Sequence, residues 1–413
     1  MFLDTTTAIY IVFTITYMLI ASRRLSLLPI GRPAGALLGV VLMVLIGALS
    51  PKETYEAIDD DTILLLFGTM TLTVYLERAG FFEWLARMIL SACPTPMTLL
   101  WGVAALSGVL SAFLVNDTVC VFLTPVVVAA CRRGELPPGP YLIGLATSAN
   151  IGSAATLVGN PQNMIIGSLS GFPFGQFALF AAPAAGVGLL LNMLLLYVFY
   201  YRRLPSRIHP SASPAAPVDR KHLFMALTAT AGVILGFFAG FHLGYTALTG
   251  VAFLILADRK DPRDIFSRVD WSLLLFFCCL FVVVHGLAKT GIVEWSWKES
   301  APYLSYSSAQ GLFLFSSLMV IGSNLLSNVP MVLLTGPHLN ELGSSQLGWV
   351  LLAFTTTVAG NFTLIGSVAN IIVAERARDH YTLGFREYLR FGLPSTILVL
   401  IAGVATIGYV MKP

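Results

Sequence analysis

The sequence predicts an all-α polytopic membrane protein built from two inverted repeats, each with five transmembrane helices, a re-entrant hairpin and a broken helix. Three observations lead there. Hydrophobic residues make up 56% of the 413 and charged residues 11%, where a soluble domain carries roughly a quarter charged residues. The chain also contains itself twice. Gly80-Phe81-Phe82-Glu83-Trp84 recurs as Gly291-Ile292-Val293-Glu294-Trp295, and Phe174, Phe177, Phe180 and Pro183 recur as Phe385, Tyr388, Phe391 and Pro394, both at an offset of 211 (291 − 80 and 394 − 183). Thirdly, polar and helix-breaking residues interrupt apolar segments at matching places in the two copies.

The apolar runs are continuous and approach the ~20 residues that cross a bilayer as a helix. A membrane β-barrel, whose segments are short and alternating, does not fit. Crossings are expected at 5–21, 33–50, 62–78, 141–170, 172–200, 223–241, 244–257, 271–289, 347–373 and 392–411. Residues 1–21 lack a basic leading region and read as a first membrane helix, not a cleaved signal. The net charge of +3 gives no case for nucleic acid, and no phosphate-binding loop points to an intrinsic ATP motor. The five cysteines have no zinc-type spacing, and Cys278-Cys279 reads as a pair of small hydrophobes.

Loop charges set the topology. Arg23, Arg24 and Arg32 follow the first helix and belong inside, whereas the acidic stretch 52–61 fits the outside. The stretch 97–131 is too long for one crossing, and its arm beyond Asn116-Asp117-Thr118 has only about a dozen apolar residues, short for a span. A hairpin entering and leaving on the cytoplasmic side satisfies both length and the Arg132-Arg133 charge. Five crossings per copy is odd, so the second copy inserts upside down. Its loops agree, with Arg259, Lys260, Arg263, Arg376 and Arg378 inside and the 294–299 stretch outside. The expected organisation is repeat 1 over 1–204, a cytoplasmic Pro- and Ser-rich linker over 205–221, and repeat 2 over 222–413. The second hairpin, 306–338, opens outward, and both termini lie outside an inner cell membrane.

Asp117 is the sharpest single residue. A carboxylate among apolar neighbours is costly unless paired, hydrated or protonated, so it is expected to carry H+ or hold Na+; the alternative is a cap on the returning arm. Asn116 and Asn328 take matching tips, 212 apart (328 − 116), and an amide offers donors and acceptors without charge. Thr118 stands beside the first tip. The broken helices are the second constellation. Asn150 through Gly159-Asn160-Pro161-Gln162-Asn163 matches Asn361 through Thr363, Gly366, Ser367 and Asn370. Unwound carbonyls there can coordinate Na+, and half-helix N-termini attract anions. Any Na+ is expected near Asn116, Asp117, Asn150 and Asn361. The stretches 81–92 and around Trp295-Trp297 read as interfacial helices, with Glu83 and Arg87 on a polar side. Lys289 is expected to snorkel.

These residues resemble the ion transporter superfamily, with its arsenite-efflux permeases, Na+/H+ antiporters and citrate or dicarboxylate carriers. Leu114-Val115-Asn116-Asp117 leading to Leu123-Thr124-Pro125 is similar to the first hairpin of that family, and Ser327-Asn328-Val329-Pro330 to the second hairpin of its arsenite branch. The dicarboxylate carriers present Ser-Asn-Thr at both tips, which this chain lacks. Thr363-Leu364-Ile365-Gly366-Ser367 carries Leu364 where the arsenite permeases have Pro, and Gly159-Asn160-Pro161-Gln162-Asn163 is closer to the anion-permease members. The resemblance implies a secondary transporter of a small anion or an arsenite-like oxyanion or neutral acid, coupled to H+ or Na+. It further implies a homodimer and, for an arsenite type, a soluble ATPase partner. A Na+/H+ antiporter, a citrate carrier and an anion channel are the alternatives. No Ser–His pair, metal cluster or second membrane carboxylate points to an enzyme.

Overall fold

The computed structural model describes residues 4–22, 31–207, 218–306, 308–342 and 345–411. Arg23, Arg24 and the linker core 208–217 lie outside them. The described residues are helical, without strands. The first half runs α1 (Thr5–Ser22), α2 (Arg32–Leu45), α3 (Pro51–Glu56), α4 (Asp60–Arg78), α5 (Phe81–Ala92), α6 (Pro96–Phe113), α7 (Asn116–Arg133), α8 (Pro138–Ser153), α9 (Pro161–Ser170) and α10 (Phe174–Tyr200). The second runs α11 (Arg220–Phe238), α12 (Leu243–Asp258), α13 (Arg263–Ser267), α14 (Trp271–Ala288), α15 (Ile292–Ser300), α16 (Ala309–Leu326), α17 (Asn328–Thr335), α18 (Ser345–Ala359), α19 (Val368–Ala377) and α20 (Phe385–Val410). Among the described residues six helices are long and apolar enough to cross a membrane, and α4 with α5 forms a further pair bent by 62°.

Local chemistry marks the same points in both halves. Asp59 caps α4 by accepting from the Thr62 amide, and Asp270 caps α14 by accepting from Leu273. Gly80 and Gly291 then turn the chain at φ 81° and 74°, a left-handed conformation open to glycine at no steric cost. Pro183 sits inside α10 and Pro394 inside α20. Packing exchanges partners between the halves: α2 lies on α14 and α12 on α4, α7 on α19 and α9 on α17, and α10 runs along α20.

Several expected boundaries move. The crossing expected to 50 ends at Leu45, because Gly47 turns the chain at φ 72° and Ser50 starts α3 with a reciprocal capping box to Glu53. The expected 392 start lies inside α20, which begins at Phe385. The returning arm of the first hairpin is longer than its apolar stretch implied. Helix α7 starts at the tip residue Asn116 and carries 18 residues across Pro125 to Arg133. The second arm, α17, has 8 residues and continues as a 3-10 turn, Gly336–Leu342. On α5, Glu83 and Arg87 do not form an exposed polar side; both are half-buried, and Arg87 Nε donates to the Glu83 carbonyl at 3.2 Å. Phe82 instead stacks on Phe122 of α7, ring centres 5.1 Å apart. Lys289 does more than snorkel, reaching Glu53 at 2.6 Å and, with hydrogen bonds from Ser50, drawing that carboxyl down to about 2.

Ion pairs and hydrogen bonds gather the loops into two ends. At one end Arg78 meets Asp258 at 3.5 Å and Arg268 meets Glu77 at 3.4 Å, and Arg132 is in hydrogen-bond contact with His380 at 3.4 Å. At the other, Lys289 meets Glu53 and His242 meets Asp61 at 3.1 Å. Among the described residues Lys52, Lys289 and Lys298 are the only lysines or arginines at this second end.

The tightest helix pair is α6 with α8, where Gly152 lies directly on the backbone of Gly108. A Cβ on residue 152 would collide with that carbonyl, whereas one on Gly186 meets open space. Gly152→Ala is therefore expected to cost about 1–3 kcal/mol by overpacking, seen as a lower melting temperature in detergent, while Gly186→Ala leaves it nearly unchanged. Equal behaviour of the two would contradict this packing.

Candidate functional site

Both broken helices unwind at mid-length, over 154–160 between α8 and α9 and over 360–367 between α18 and α19. Backbone freed inside a membrane needs partners, and buried amides supply them. Asn163 Nδ2 donates to the carbonyls of Ser153 (3.3 Å) and Thr156 (2.8 Å), and its repeat partner Asn370 donates to Gly360 (2.9 Å) and Thr363 (3.1 Å). Asn160 caps α9 by accepting from the Asn163 amide at 2.9 Å. Thr156 bonds the Ala112 carbonyl, tying the break to the first hairpin. Gly159 is held so closely that a Cβ would strike the carbonyls of Ser153 and Ser111, and its own carbonyl accepts from the Asn116 amide at 2.9 Å.

Asn150 is the hub. Its Oδ1 accepts from Asn116 Nδ2 (2.9 Å) and Ser367 Oγ (3.1 Å), and its Nδ2 donates to Asn361 Oδ1 (2.8 Å) and Asn370 Oδ1 (3.0 Å). Asn361 in turn donates to the Thr147 carbonyl at 3.0 Å. One buried amide thus joins a hairpin tip, its own broken helix and the other broken helix. The two tips are not equivalent. Asn116 is bound to Asn150, whereas Asn328 is held within its own hairpin by Ser323 Oγ at 2.6 Å and lies beside Gly360. Ser327 before it sits at φ 80°, ψ 160°, a region essentially reserved for glycine, so the second tip carries backbone strain.

Asp117 is buried, and the structure departs from the cap alternative. Among the described residues its carboxylate accepts no backbone amide; the local bond runs from its own amide to Asn116 Oδ1 at 2.9 Å. The carboxylate, with Thr118, lines a cavity of about 570 Å³ walled by Met70, Val74, Phe122 and Phe276 and reaching Arg32, Arg268, Asp270, Glu375 and Arg376 at the basic end. Of the four groups expected near Na+, Asn150 Oδ1 accepts two hydrogen bonds, Asn361 Oδ1 accepts from Asn150 and Tyr388, and Asn116 Oδ1 accepts one, so among the described residues the Asp117 carboxylate has the least occupied oxygens. Asn163 Oδ1 and Ser111 Oγ, both buried, have no partner among the described residues.

Sequence reasoning missed Thr357, whose Oγ1 accepts from Gln162 and Asn160 of the other half at 3.1 and 3.2 Å, and Asn192, which links Thr147, Ser148 and Ser395. The run Thr355-Thr356-Thr357 inside an apolar helix was the available signal. Thr363 and Gly366 take part through their backbones, Gly366 donating to the Thr363 carbonyl at 3.0 Å.

The citrate transporter family model matches residues 17–359. The chain belongs to that family. It is therefore a multi-pass membrane transporter of the ion transporter superfamily, not an enzyme. The transporter is 33% identical to the putative transporter arsB of Dictyostelium discoideum, over 97% of this chain and 92% of that one. It is 34% identical to the silicon efflux transporter LSI3 of Oryza sativa subsp. japonica, over 96% of each. In fold it resembles the Alcanivorax borkumensis YdaH transporter (TM-score 0.59, 15% identity, 84% of each chain) and Neisseria gonorrhoeae MtrF (TM-score 0.52, 16% identity, 99% of this chain and 95% of the other).

Removing Asn150 deletes four buried hydrogen bonds, and each buried group left unsatisfied costs about 1–3 kcal/mol. Asn150→Ala is expected to lower the melting temperature sharply. Asn116→Ala and Asn328→Ala should stay folded and inserted yet lose most transport, read by thermal unfolding beside uptake in vesicles. Near-normal transport in both tip variants would reassign them to turn formation.

Proposed function

We propose that the transporter moves a small hydroxylated weak acid, an arsenite-like neutral acid or a small oxyanion, in exchange for H+ or Na+. The carrying observation is one buried carboxylate, Asp117, on the wall of the cavity, adjoining through its neighbour Asn116 the buried junction of uncharged amides that joins the two helix breaks. Amides offer donors and acceptors to a hydroxylated solute without requiring charge. The N-termini of α7 and α19 start there and favour partial negative charge. The relatives described as a silicon efflux transporter and a putative arsB transporter support this class. A carboxylic acid of the citrate kind is the second reading, favoured by the family description and by Arg32, Arg268 and Arg376 around the cavity.

The basic end is the cytoplasmic one in this reading, since positive loops stay inside. The halves are then inverted about the membrane plane, the linker is cytoplasmic, the termini lie outside an inner cell membrane, and the cavity faces inward. The working unit is a homodimer, as the superfamily resemblance implies.

Asp117 is the coupling residue. Asp117→Asn keeps size and hydrogen bonding but fixes the charge at zero. In proteoliposomes under an imposed pH or Na+ gradient, the variant is expected to lose gradient-driven accumulation while retaining substrate exchange. Unchanged gradient dependence would remove Asp117 from coupling and point to the open oxygens of Asn163 and Ser111. A flux that neither saturates nor follows the gradient in the wild type would instead mark a channel.

A further inference from the structure

The two halves place equivalent residues at their opposite ends in opposite states. At the second end, Asp59 does two jobs: Oδ1 caps α4, accepting from Thr62 at 2.7 Å, and Oδ2 accepts from Ser168 Oγ of α9 at 2.6 Å. Helices α4 and α9 pack together there. The repeat offsets carry Asp59 onto Asp270 (270 − 59 = 211) and Ser168 onto Glu375 (375 − 168 = 207), the offsets of the two caps and of the two broken-helix starts. Asp270 caps α14 as Asp59 caps α4, and Glu375 stands on α19 as Ser168 stands on α9. Here the pair is parted, and both residues line the cavity that separates α14 from α19.

We propose that Asp270 and Glu375 form the inner gate, meeting when the cavity closes as Asp59 and Ser168 meet now, and that a proton held between them is required for closure. The chemistry of the two ends differs in one respect. At the outer end a hydroxyl donates to a carboxylate, a bond that needs no added proton. At the inner end both partners are carboxylates, and two carboxylates at hydrogen-bond distance hold one proton between them because both cannot stay ionised. Closure of the inner end therefore takes up a proton, and falling pH favours the closed end, by no more than about tenfold per pH unit for one proton. The charged groups facing the pair are Arg32 at the start of α2, Asp117 on α7, Arg268 before α14 and Arg376 on α19. Arg268 is shared with Glu77 at 3.4 Å and Asp264 at 3.6 Å.

The gate rests on the transporter reading, but its test needs no substrate. Ser272, exposed on the cavity wall beside Asp270, is replaced (Ser272→Cys) in the full-length protein in liposomes. Its alkylation rate is followed by mass mapping of that peptide from about pH 8.5 to about pH 5.5, after normalising to a small-thiol reference for thiolate reactivity. The normalised rate is expected to fall as pH falls. Glu375→Gln, whose amide donates to Asp270 as Ser168 donates to Asp59, should hold the site protected at every pH, and Glu375→Ser should do the same. Asp117→Asn should keep the pH dependence, which separates the gate from substrate coupling. A wild-type rate independent of pH, or a Glu375→Gln variant that keeps the wild-type pH dependence, would overturn the gate. Loss of the dependence in Asp117→Asn would assign it to Asp117 instead and overturn it equally.

Discussion

Helix breaks in a membrane interior leave backbone donors and acceptors that neither lipid nor a continuing helix can satisfy. The organisation of this transporter follows from how those groups are met. Asn163 and Asn370 reach back to the carbonyls of their own breaks, and Asn150 connects the two breaks and the first hairpin tip through four side-chain bonds. Because these amides carry no charge, they satisfy the backbone without the desolvation cost of an ion. In the proposed function the same side chains that meet this structural need would also offer donors and acceptors to a hydroxylated substrate.

The second consequence is asymmetry between like halves. Duplicated elements exchange partners, α2 with α14 and α12 with α4, so each half is completed by the other. Yet α4 rests on α9 while a cavity stands between α14 and α19, and Asn116 is bound to Asn150 while Asn328 is bound within its own hairpin. Two nearly equivalent halves in different arrangements are what a molecule needs if its ends open in turn. The strained Ser327 backbone lies at the less tightly held tip, where a bistable element would store it.

Much of this was legible in the sequence because the informative residues are polar and rare. An Asn or a Pro repeated at an offset of 211 in an apolar chain stands out, and Asn150 with Asn361 and Pro183 with Pro394 carry that pattern into the structure. What stayed hidden depended on neighbours distant in sequence. Nothing local to Asn116 says that it bonds Asn150 while Asn328 bonds Ser323. The apolar count placed the start of the returning arm after Thr118, whereas the helix begins at Asn116 because the tip turns through Leu114 and Val115. Lys289 and Glu53 are 236 residues apart, so their pairing had no sequence signal. Arg32 and Arg376 read as loop charges that fix orientation, and only the fold brings them together with Arg268 around one cavity.

The central claim is that the two ends open in turn about the amide junction. Distances between paired spin labels test it most directly, one pair at Asp61 and Leu169 on α4 and α9, the other at their repeat equivalents Ser272 and Arg376 on α14 and α19. Measured by pulsed electron resonance in lipid across pH and added substrate, the two distances should change in opposite senses, the α4–α9 pair lengthening as the α14–α19 pair shortens. Two distances that stay fixed, or that lengthen and shorten together, would contradict the account.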